Sequence, residues 1–217
     1  MSPLMIPRCL SRRRVLAAAT AALPLAGCSV LPDPPAARIY RLDPPTIRPV
    51  PGPALHTTLA IAMPTAPESL DTDRIALTLG RTRFDYYAES IWTDRVPALV
   101  QTLLVEVFEN SGRIADVGRG ADGLARGYAL ETDIRAFQAR YHGQGTHPPV
   151  VAVSLDLHLI ALPGRRTVGR SLLAAAVSAA DNTLDGVVRG FDAATGEVLN
   201  SMVPSVLRML HRGQTAA

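Results

Sequence analysis

The sequence predicts an α/β fold: a single domain with a mixed β-sheet and two long helices packed on it, preceded by a signal peptide and a Pro-rich tether. Three observations carry this. Two stretches, Thr93 to Asn110 and Leu184 onward, repeat apolar residues at helical spacing. Two others, Tyr128 to Arg140 and Val150 to Leu162, alternate apolar and polar residues as half-buried strands do. Composition then divides the chain into residues 1–27 (signal), 28–53 (tether) and 54–213 (domain).

The first part opens with Arg8, Arg12, Arg13 and Arg14 and continues as an Ala/Leu-rich run from Val15 to Leu25. That run is too short to span a bilayer, and charge followed by a short apolar core is the pattern of a secretory signal. It ends in Leu25-Ala26-Gly27-Cys28, which resembles the lipobox of bacterial lipoproteins. The resemblance implies that the Cys28 thiol receives diacylglycerol and that cleavage leaves Cys28 as the first mature residue, its new amino group acylated, with palmitate a typical chain. One acyl chain holds weakly, at about 0.8 kcal/mol per buried methylene; two or three hold almost permanently. Ser29 follows where many Gram-negative lipoproteins retained in the inner membrane carry Asp, so the expected address is the outer membrane, facing the periplasm. Ser11 to Leu16 fits a twin-arginine export signal and a generic basic region equally well.

The second part holds Pro32, Pro34, Pro35, Pro44, Pro45, Pro49, Pro51 and Pro53. Such a chain is extended and semi-rigid, a spacer whose 25 residues reach about 80 Å at about 3.1 Å each. Within it, Ile39 to Leu42 can pair as a short edge strand. In the domain, Thr58 to Met63 is a strand ended by Pro64, and Arg74 to Leu79 with Phe84 to Tyr87 form a hairpin around Gly80. The first helix is expected from Thr93, with Thr93 as cap and Pro97 in the first turn. Its apolar face is Val96, Leu99, Val100, Leu103, Leu104, Val107 and Phe108. Ile114 to Val117 is a short strand. Next comes a long one with Tyr128, Leu130, Thr132, Ile134 and Ala136 on one face and Glu131, Asp133 and Arg135 on the wetter one. In Val150 to Leu162, residues 151, 153, 155, 157 and 159 face the core and Ser154, Asp156 and His158 face away. Val168 to Ala176 is the last strand. The second helix, after Asp181-Asn182-Thr183, is weakened by Gly186, Gly190 and Gly196, with a kink expected near Pro204.

All 22 basic residues are arginine, and four precede Cys28 while no acidic residue does. The mature part therefore has 18 arginines against 19 acidic residues, a net charge of −1, and no basic patch for nucleic acid. Without lysine, Walker A, Schiff-base and Ser-x-x-Lys chemistry are excluded. The cysteines are Cys9 and Cys28 alone, so the domain can form no disulfide and must rest on its core.

Several landmarks stand in order: the lipobox, the proline-rich segment, Tyr40-Arg41-Leu42-Asp43-Pro44, a strand ending in Pro64, Leu70-Asp71-Thr72-Asp73-Arg74, a hairpin, and Ser90-Ile91-Trp92-Thr93-Asp94-Arg95. This order resembles the ABC-type transport auxiliary lipoproteins, the PqiC-like family. The resemblance implies a compact α/β sandwich without catalytic residues or cofactor. It also implies an outer-membrane partner of an MCE-type lipid transport system, in which an ABC permease and ATPase work with an MCE-domain protein. Assembly into a homo-oligomer is compatible with it. A lipid carrier with its own apolar cavity and a periplasmic hydrolase are the alternatives.

Among candidate sites, Gly118-Arg119-Gly120-Ala121-Asp122-Gly123 matches a dinucleotide fingerprint but runs toward a strand, not a helix, and reads as a turn. His142 and His147 share a loop with no acidic neighbour and read as solvated, so no metal is expected. Asp71 and Asp73 beside Arg74 read as turn-forming or paired with arginine. Tyr86, Tyr87, Trp92 and Arg95 cluster at the hairpin-to-helix junction, where rings with polar tips and an arginine suit a partner surface. Core packing against the first helix is the competing reading for the aromatics.

Overall fold

The structure is a computed structural model that describes residues 36–215 apart from 121–125, 144 and 163. The signal, Cys28 and the first part of the tether lie outside the described residues, as does half of the Gly118–Gly123 turn. Eight strands and two helices follow in the order β1 (Arg38–Tyr40), β2 (Leu55–Ile61), β3 (Arg74–Leu79), β4 (Arg83–Trp92), α1 (Val96–Asn110), β5 (Ile114–Arg119), β6 (Gly127–Tyr141), β7 (Val150–Leu162), β8 (Arg166–Ser178) and α2 (Leu184–Thr215).

One mixed sheet takes all eight strands, and β6 is its spine. Along one edge β6 pairs antiparallel with β7, and β7 with β8. Along the other edge two shorter strands share its length, both parallel: β2 at Tyr128–Leu130 and β3 at Ala139–Tyr141. Between them Thr65 bridges to Asp133, its N–H donating to the Thr132 carbonyl. The sheet therefore forks, one branch continuing to β5 and the other through β4 to β1.

The long strands follow the predicted alternation with one break. Ile134 pairs with Leu155 but Ala136 with Ser154, so Arg135 is left without an opposite residue. This bulge reverses the parity beyond it. Ala136 shares the face of Ser154 rather than that of Ile134, and Phe137, Ala139 and Tyr141 turn to the buried side.

The helices cover that side. Trp92, Phe137 and Phe191 meet at its centre, with ring centroids 5.1–6.0 Å apart. The glycines that weaken α2 as a helix let it sit close: a Cβ on Gly190 would lie 2.8 Å from Val151 Cγ2. The helix continues through Pro204. The first helix begins later than its sequence predicts, with Arg95 at the cap position and no side-chain cap. Thr93 stands two residues before the cap position, where its N–H donates to the Tyr40 carbonyl and ties the chain to β1.

The proline-rich segment departs from a free spacer over its second half. Ile39 pairs with Ile91, Leu42 is buried, and the Asn200 amide holds the backbone of Arg48 and Thr46. The Arg113 guanidinium, itself buried, donates to the carbonyls of Val50, Pro51 and Pro53 at 2.7–3.1 Å. Residues 38–53 are thus a strap bound to the domain, and the reach of about 80 Å shortens to that of the residues before it. Proline's fixed φ keeps the strap extended and leaves its carbonyls open to an outside donor.

Candidate functional site

The hairpin-to-helix junction does not present its four predicted residues together. Trp92 is 1% exposed and sits in the core against Phe137 and Phe191. It is no contact residue: it ends β4 where the chain must turn inward before α1. Tyr86 and Tyr87 are adjacent on β4 and half-buried. The Tyr86 ring stacks under the Arg74 guanidinium, 3.8 Å from it, and its hydroxyl donates to the Ser69 carbonyl. The Tyr87 hydroxyl meets that of Tyr141 at 2.9 Å, and burial raises its pKa further above the ordinary tyrosine range. Beyond them β4 loops outward from β3: Ala76 pairs with Tyr86 and Arg74 with Ile91, and Glu89 in the loop takes φ +52°.

Arg95 remains exposed and lines a cleft of about 410 Å³ with Met63, Pro64, Thr65, Ala66, Asp71, Pro97 and Ala98. Its guanidinium donates to both the carboxylate and the carbonyl of Asp71, so Asp71 positions it. Met63, 55% exposed, also lines a second cleft of about 370 Å³ with Ala62, Thr65, Glu131, Thr132, Asp133 and His158. The fork creates this pair of clefts: the 62–66 segment crosses the gap between β2 and β3, and Met63 stands on the crossing.

The floor of the second cleft was not legible as a site in the sequence. Asp133 lies directly opposite Asp156 across the β6–β7 pair, a repulsive placement. Arg135, the bulged residue, resolves it by donating to both carboxylates at 3.0 and 3.1 Å. Arg170 reaches Asp156 from β8 at 3.5 Å, and His158 Nε2 lies 3.6 Å from its other oxygen. Partial burial works against ionisation of Asp156, but the Arg135 hydrogen bond and the charges of Arg170 and His158 outweigh it and hold the carboxyl below its ordinary value. By residue type Asp133, Asp156 and His158 could share a metal. A guanidinium already spans the two carboxylates, so the cluster stands as a charge-balanced network. Its only sequence signal was the outward alternation of charges on two neighbouring strands; the register and the bulge brought them together. His142 and His147 are exposed in the β6–β7 loop, apart from this network.

Fold and surface define a one-sided α/β domain whose exposed features are open clefts and paired charges around a filled interior. The sequence model of the ABC-type transport auxiliary lipoprotein component matches residues 40–203, and the chain belongs to that family. Among solved structures, a Xanthomonas campestris protein of the DUF330 family is 25% identical, with a TM-score of 0.71, over 82% of this chain and 99% of that one. The structure of an uncharacterised protein, 13% identical, shares the fold at a TM-score of 0.59 over 79% of this chain and 99% of its own. A PelC dodecamer from Paraburkholderia phytofirmans is 16% identical at a TM-score of 0.40, over 71% of this chain and 96% of that one. No curated protein matches. Among the described residues no helix is long and apolar enough to cross a membrane.

Proposed function

We propose that this chain is the outer-membrane adaptor of an MCE-type lipid transport system, held through a lipid on Cys28 and acting by contact with the MCE-domain protein that works with an ABC permease and ATPase. The family match over residues 40–203 is the observation that carries this reading. The lipobox supplies the anchor, and the paired clefts around Met63 and Arg95 supply a surface. An exposed methionine beside an arginine already oriented by Asp71 suits a protein contact, because flexible apolar reach is combined with a fixed charge. The space between sheet and helices is filled by Trp92, Phe137 and Phe191, which does not favour a carrier with an internal lipid cavity.

Two measurements test this together. Cys28→Ser moves the protein from the outer-membrane fraction to the soluble periplasm; a variant that stays on the membrane refutes the anchor. Met63→Asp with Arg95→Glu leaves the circular dichroism spectrum unchanged and abolishes capture of the MCE-domain protein; full capture removes the clefts from the reading.

A further inference from the structure

With residues 38–53 bound to the domain, only residues 29–37 lie between Cys28 and β1, and stretched out they span about 30 Å at about 3.1–3.6 Å each. A compact domain of this length is roughly 40 Å across. Surface next to β1 therefore stays within reach of an anchoring membrane, and surface diametrically opposite does not. β1 is the terminal strand of its branch of the sheet, in the order β1-β4-β3. Tyr40 lies on the helix side, its hydroxyl donating to the Asp185 carboxylate of α2. Alternation puts Ile39 on the bare side of the sheet, with Ile91 beside it and Arg74 opposite Ile91. Tyr86 and Phe84 share that side, because they pair with Ala76 and Thr78, which alternate in step with Arg74 along β3. Ile39 is 66% exposed and Phe84 38%, so two of the four large apolar side chains exposed among the described residues stand here.

We propose that this face, formed by Ile39, Ile91, Arg74, Tyr86 and Phe84, rests on the phospholipid headgroups of the membrane that holds the anchor. Aliphatic and aromatic side chains mixed with arginine suit the boundary between headgroups and acyl chains. The Arg74 guanidinium lies over the Tyr86 ring, 3.8 Å from its centre, and stacking leaves the in-plane N–H groups open to a phosphate. Asp85, the residue before Tyr86, is bonded to Arg83 instead. Place as well as composition selects lipid over a protein partner, because the face flanks the point where the chain leaves toward its anchor. Two exposed apolar side chains bury less than one acyl chain, which itself holds weakly, so the face does not replace the anchor. It sets the orientation of a domain that the anchor already keeps at high local concentration. The inference rests on the lipid at Cys28.

The test uses the full-length protein, taken from membranes in mild detergent and reconstituted into phosphatidylethanolamine–phosphatidylglycerol vesicles that include lipids brominated near the top of the acyl chain. Residues 36–215 contain no cysteine, and a lipidated Cys28 has no free thiol. Ile39→Cys, Phe84→Cys and, on the exposed side of α2, Ser201→Cys therefore each take a single fluorophore. Emission at residues 39 and 84 is expected to shift to the blue and to be quenched by the brominated lipid, while residue 201 emits as it does in unbrominated vesicles. Arg74→Glu, with an unchanged circular dichroism spectrum, is expected to lose most of the quenching at residue 84. An unsubstituted protein that does not float with the vesicles would fault the anchor, and this face with it. Flotation with residues 39 and 84 unquenched overturns the face alone, as does a blue shift without quenching, the mark of cover by protein, or equal quenching at residue 201.

Discussion

Removing the Arg113 guanidinium should release the strap and cost the domain measurable stability. In Arg113→Met the stem's apolar packing is largely kept, while the hydrogen bonds to the carbonyls of Val50, Pro51 and Pro53 are lost. Bonds from a charged donor contribute about 1.5–3 kcal/mol each, so three set an upper bound of roughly 9 kcal/mol. Two effects lower it. Pro51, Gly52 and Pro53 are exposed, so their neighbourhood can hydrate, and a buried cation removed no longer pays its desolvation cost. The net loss expected is about 2–3 kcal/mol, or roughly 4–12 °C in Tm for a domain of this size. Urea denaturation measures the loss, and limited thermolysin digestion locates it, with new cuts beside Ile47 and Val50. Gly52→Ala should act in the same direction, since Gly52 has φ +121° and an added Cβ would lie 2.8 Å from Arg113 Nη2. A loss below about 1 kcal/mol with no new cleavage in the strap would refute the reasoning, because the bonds would then be no stronger than those to water.

Two further outcomes are expected. Trp92→Ala empties the centre of the aromatic cluster and should cost about 3–5 kcal/mol, whereas Trp92→Phe should cost much less; an alanine variant that melts like the parent would return Trp92 to the surface. The Asp156 carboxyl has a folded pKa below its unfolded value, so the stability it contributes is present above the unfolded pKa, near 4, and is lost as pH falls through the folded one. The parent should therefore lose more Tm than Asp156→Asn between pH 6 and pH 3, and parallel pH profiles would count against the Arg135–Asp156 network.

The sequence by itself determined what depends on local pattern. Residues 151, 153, 155, 157 and 159 are buried as their alternation requires, and the apolar face of α1 is core because its 3.6-residue spacing leaves no other arrangement. The family, too, was legible, since the order of landmarks from Tyr40 to Arg95 lies in the chain itself. The tertiary structure decided what depends on partners distant in sequence. The strap looked like a spacer because proline-rich chains are extended whether free or bound; Arg113 and Asn200, 60 or more residues away from the carbonyls they hold, bind it. For Trp92 the sequence left a partner surface and core packing against the first helix both open, and only the packing of α2 on the sheet shows that Phe191 and Phe137 enclose it. The Asp133–Asp156–His158 network and the clefts at Met63 depend on strand register, one bulge and a forked sheet. Alternation within a strand tells which face a residue takes, but not which residue of the next strand lies opposite.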